Sequence, residues 1–187
     1  MIKIKTIRDD KDSGIVKNLG ERNESVTKAL ELLVLYELGY GGVVTNFSSS
    51  KVVVETELFG GAVKDTTIFE GSKEEMKLLV KVAACHTALI NFEISRNAVF
   101  GKAIDVLETL PNGIGNVPFY ISLISPFLIG GSFSSFALLF AMDITDPDMV
   151  KTLTSIRLED LVAVAQLSLE SGLPLPEIAK EMNLIVT

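Results

Sequence analysis

Tryptophan is missing from this 187-residue chain, and cysteine and histidine occur once each, side by side, as Cys85 and His86. A single cysteine cannot close an intramolecular disulfide. With one histidine beside it, the chain also lacks the ligand set of a structural zinc site, so no metal is expected. Clusters of lysine and arginine are absent too: 17 basic residues are scattered among 24 acidic ones, for a net charge of −7. Nucleic-acid affinity comes largely from clustered cations that release counterions from phosphates, so nucleic acid is not an expected partner. The N-terminal stretch MIKIKTIRDDKD has no apolar run of the kind a signal peptide needs. A cytoplasmic protein is the expectation, and no motif calls for a cofactor.

The largest gap in charge is Thr109–Met142, 34 residues without an acidic or basic side chain. Its length meets the criterion for a membrane span. Its content argues otherwise: Pro118, Pro126 and Gly130–Gly131 interrupt it, five serines lie between Ser122 and Ser135, and Asp143, Asp146 and Asp148 follow it where a positive flank would be wanted. The stretch is expected to be core and subunit interface. Because 48% of the chain is hydrophobic, more than a monomer of this size needs to bury, self-association into a homo-oligomer is expected as well.

Local patterns divide the rest. Met1–Ile7 alternates isoleucine and lysine, predicting a half-buried strand whose lysines suit a sheet edge, and the polar run Arg8–Gly14 predicts a loop. Val26, Ala29, Leu30, Leu33, Val34 and Leu38 recur at helical spacing from about Glu24, with Gly39 placed to end the helix in a left-handed turn. Val43–Phe47, Lys51–Phe59 and Ala62–Phe69 are rich in valine and threonine around Ser48–Ser50 and Gly60–Gly61, predicting a three-stranded antiparallel meander. Ser72 and Glu75 form a capping box that opens a long helix, with a break expected in Ser95–Gly101. Ser132–Ile144, dense in Phe and Leu, is predicted as a buried strand. Asp146-Pro147 is a helix start; that helix is interrupted near Ser155 and ends at Gly172, and a short last helix covers Pro176–Met182.

The most site-like constellation lies on the long helix. At 100° per residue, His86, Glu93 and Asn97 fall on the stripe that carries Leu79, Val82 and Ile90, with Lys77 and Lys81 on the other side. Polar groups on a core-facing stripe need partners, and these three either satisfy one another through an intervening group or line a pocket. Glu93 would then be the general base or acid, His86 its proton shuttle or a hydrogen-bond donor, and Asn97 a ligand contact. Cys85 and His86 point about 100° apart and make no dyad. Gly113-Ile114-Gly115-Asn116 lacks the preceding strand of a phosphate-binding loop, so Asn116 is at most a ligand contact at a pocket rim.

These patterns predict an α+β fold over residues 1–187 as a single domain: a largely antiparallel sheet with hairpins packed against three main helices, the helical part 146–187 being a candidate appended element. The preferred function is a self-associating binding or scaffold protein. The alternative is a small-molecule enzyme with its pocket beside His86, Glu93 and Asn97.

Overall fold

A computed structural model of the chain describes residues 1–91, 133–142, 144 and 146–186. The architecture is α+β, as the sequence implies. Strands β1 (Ile2–Asp10), β2 (Ile15–Glu24), β3 (Val43–Ser48), β4 (Lys51–Leu58) and β5 (Val63–Glu70) form one antiparallel sheet in the order β2-β1-β5-β4-β3. Helix α1 (Val26–Val34) joins β2 to β3, and α2 (Lys73–Asn91) follows β5. The described residues hold further helices α3 (Phe133–Ala141), α4 (Pro147–Leu153), α5 (Leu158–Ser171) and α6 (Leu175–Glu181).

The N-terminal expectation needs correcting in two respects. The polar run is not a loop between separate elements: β1 continues to Asp10, and a tight turn leads into β2, a strand the sequence pattern missed. Asp10 makes that turn, its carboxylate accepting from the backbone N–H groups of Asp12 at 3.1 Å and Ser13 at 3.2 Å. The bond from Ser13 is the leading cause that holds the Asp10 pKa below its ordinary value. In consequence β1 is interior to the sheet, and the exposed edge is β2. Every residue of β2 except Glu24 is exposed, so neither face had an apolar alternation to display. The register slips where β2 spends two residues, Leu19 and Gly20, against Thr6 alone. Gly20 sits there at φ +110, a conformation that L side chains rarely adopt.

The predicted meander is present as β3-β4-β5, and the capping box is formed as expected. Ser72 N–H donates to Glu75 Oε2 at 2.9 Å, and Glu75 N–H donates to Ser72 Oγ at 3.3 Å. The Met1 amino group also donates to Glu75, and these contacts, led by the amino group, lower the Glu75 pKa.

Helix α1 is capped by the Ser25 hydroxyl, which accepts from Lys28 N–H at 3.1 Å. The helical run does reach Gly39, but without a left-handed glycine there. The chain widens into a π turn, Leu35–Gly39, and the left-handed glycine is Gly41 at φ +66.

The segment Ser132–Ile144 is corrected from strand to helix: Phe133–Ala141 is helical, with Ala137, Leu138, Leu139 and Ala141 buried. A short apolar run buried on several sides carries no periodicity that separates strand from helix. This tail of the uncharged stretch is core, and residues 109–132 lie outside the described residues. Asp146 occupies the N-cap position ahead of Pro147, although its side chain makes no capping bond. The interruption near Ser155 and the left-handed Gly172, at φ +75, are both found.

One hydrophobic cluster joins these layers. It runs from Ile2, Ile4, Val52, Val54 and Phe69 on the sheet, through Leu30 and Leu33 of α1 and Met76, Leu79 and Val82 of α2, to Leu138 of α3 and Leu161 of α5. Helices α1 and α2 lie against the sheet, and α3 and α5 pack behind them.

Candidate functional site

The helix-covered face of the sheet changes character along its strands. The inward residues of β1, β5 and β4 stand in rows set by the register. Ile4, Phe69 and Val52 form the first, Thr6, Thr67 and Val54 the second, and Arg8, Asp65 and Thr56 the third. The first row is buried, with Ile4 at the inner end of a cleft of about 540 Å³. From the second row to the third, the face opens into this cleft.

The floor of this cleft is polar and internally bonded. Arg8 grips Asp65 with two parallel bonds, Nε to Oδ1 at 2.7 Å and Nη2 to Oδ2 at 2.8 Å, the fork geometry that makes such pairs strong and directional. The hydrogen bond to Asp65 is the main cause that raises the Arg8 pKa above its already high ordinary value. Beside it the hydroxyls of Thr6 and Thr67 pair at 3.2 Å. Thr67 and Thr56 are buried, whereas Arg8 keeps 37% of its side chain accessible. One wall is the bulged part of β2, Leu19 to Arg22.

The opposite wall comes from the π turn. Widening the helix at Leu35–Gly39 carries Tyr36 and Tyr40 out beyond the end of α1 and over the cleft. Tyr36 is anchored against Phe69, with ring centroids 6.3 Å apart and planes inclined by 59°, and Tyr40 stands 6.3 Å from Tyr36 at 34°. Gly42 makes this possible. Its N–H donates to the Tyr36 carbonyl at 2.6 Å, and a Cβ at this position would lie 2.6 Å from that oxygen and 2.8 Å from Val54 Cγ1.

His86 lies on α2, whose stripe does face the core at Leu79 and Val82, as expected. Glu93, Asn97 and Asn116 lie outside the described residues, as does the expected break in Ser95–Gly101. The residues missed were Thr6, Arg8, Tyr36, Thr56, Asp65 and Thr67. A signal for them existed in the order Ile2, Ile4, Thr6, Arg8, an inward face that turns polar while the strand continues. It was lost by ending the strand at Ile7.

Among the described residues, no group of three or more His, Cys, Asp or Glu side chains is arranged to hold a metal ion, and no helix is long and apolar enough to cross a membrane. No protein-family model matches the chain, nor does any curated protein or solved structure.

Proposed function

We propose that the chain is a small-molecule binding protein whose site is the cleft between the π turn and the polar end of the sheet. The observation that carries this reading is the convergence of Arg8, Asp65 and three threonine hydroxyls under two tyrosines in one cleft of about 540 Å³. Sites for small ligands fall in the range of about 300–1,000 Å³ and pair apolar walls with a few placed polar groups. Binding is favoured over catalysis because the described lining includes no His, Cys, Ser or Lys, and both oxygens of Asp65 are already engaged by Arg8. A cytoplasmic location accords with the single cysteine.

The chain supplies its own probe. Without tryptophan its intrinsic fluorescence is that of tyrosine, and Tyr36 and Tyr40 line the cleft. A screen of chemically diverse fragments should yield compounds that change this emission and shift the amide resonances of Thr6, Thr67 and Tyr36. If every hit shifts amides elsewhere and none in the cleft, the reading is wrong.

Self-association is a second reading, supported by the exposed edge strand β2, where Ile15, Val16 and Leu19 are each about half exposed or more. Light scattering on the purified protein tests it: a dimer that Val16→Lys dissociates supports pairing through this edge, and a monomer at all concentrations removes it. The pocket beside His86, Glu93 and Asn97 is a separate proposal, and ligand shifts that survive H86A and E93Q unchanged would remove it.

A further inference from the structure

The charges around the cleft narrow the chemistry of what it binds. This step rests on the binding reading above. Among the described residues, four charged side chains line the cleft: Arg8 and Arg22 are cationic, and Glu21 and Asp65 anionic, so this described lining carries no net charge. Each is also matched within the protein. Arg8 holds Asp65 at 2.7 Å, Arg22 holds Glu24 at 3.1 Å, and Lys3 holds Glu21 at 3.3 Å. Among the described residues a charged ligand would therefore find no unmatched counter-charge and would have to displace an ion pair to gain one. The surrounding net charge of −7 adds a further penalty for anions.

The neutral hydrogen-bonding capacity, by contrast, is not used up. Asp65 occupies two of the five N–H groups of Arg8, leaving donors on a side chain that is 37% accessible. Each Asp65 oxygen accepts a single bond from Arg8 and retains a lone pair. Donor and acceptor thus stand side by side at the end of the cleft, complementary to a ligand edge that offers an acceptor next to a donor. Above them Tyr40 is 53% exposed beside the anchored Tyr36, so ring surface is available for stacking.

We infer that the cleft takes a neutral, flat nitrogen heterocycle with a lactam or amidine edge, the chemical class of free nucleobases. The ring packs against Tyr40, and its donor–acceptor edge meets the Arg8–Asp65 fork.

The test titrates the full chain with adenine and uracil as neutral probes, and with benzoate and inorganic phosphate as charged ones, using calorimetry and amide resonances. Adenine or uracil should bind with shifts at Thr6, Arg8 and Thr67. Tyr40→Leu, at an exposed position where folding is safe, should weaken that binding about tenfold through lost stacking. Raising the salt tenfold should leave the affinity within about twofold, since no net charge is neutralised. Tighter binding of benzoate or phosphate in the cleft, or a steep salt dependence, overturns the ligand class while the binding reading survives. Cleft shifts from fragments of other kinds, with none from either neutral probe, do the same. If neither these probes nor the diverse fragments shift cleft amides, the binding reading falls and this inference with it.

Discussion

The two ends of one sheet face are built from the same three strands in the same register, and they differ in what they ask of a neighbour. At the apolar end, Ile4, Phe69 and Val52 are fully or nearly fully buried by helices of the chain itself. At the polar end, Arg8 and Asp65 bond each other laterally beside Thr56, and this row opens onto the cleft under Tyr36 and Tyr40. Buried apolar area needs a partner surface. A paired charge and a bonded hydroxyl need only each other or water. The crossover falls at Thr6, Thr67 and Val54, and there the helical layer gives way to the cleft.

The comparison is broken most severely at its apolar end. Phe69→Ala removes the largest fully buried side chain among the described residues, which also supports Tyr36, and should cost about 4 kcal/mol in urea unfolding. Gly42→Ala comes next. With a backbone oxygen 2.6 Å and a methyl group 2.8 Å from the new Cβ, the π turn must shift, at a cost of about 2 kcal/mol. A crystal structure of this variant should show Tyr36 displaced. If stability and the tyrosine positions are unchanged, Gly42 does not hold the wall of the cleft.

One row further along, Thr67→Val keeps the shape and leaves the Thr6 hydroxyl without its partner, for about 1 kcal/mol. A loss as large as that of Phe69→Ala would mean the second row belongs to the apolar core. The smallest effect lies outside the rows, at Glu75, and is expressed as pH dependence. Its folded pKa lies below the ordinary carboxylate value, so its stabilising contribution is complete above that value and is lost as pH falls through the folded one. The Tm gap between the wild type and Glu75→Gln should therefore be steady above about pH 5 and close in more acidic solution. A gap that widens on acidification contradicts the sign.

The sequence revealed elements wherever burial was one-sided. The stripe of α1, the β3-β4-β5 meander and the capping box at Ser72 could be read because each leaves a periodic or paired chemical trace. β2 left none because it is exposed along its length, and α3 left none because it is buried on several sides. The cleft escaped for a related reason. Arg8 and Asp65 look like surface charges in one dimension, and only the β1–β5 register, which sets them directly opposite each other, turns them into a site.

That register also bears on how the chain reaches its fold. β1 with β2, and β3 with β4 and β5, are neighbours in sequence and can pair through short turns. Among the described strands the distant pairing is β1 with β5, which brings Lys3 to Glu70. Closing a long loop costs chain entropy before its contacts form, and such non-local pairings slow folding. The Arg8–Asp65 fork and the Thr6–Thr67 pair lie on this seam, where two locally formed halves of the sheet must meet. The residues that line the cleft are therefore also the ones whose registration completes the sheet.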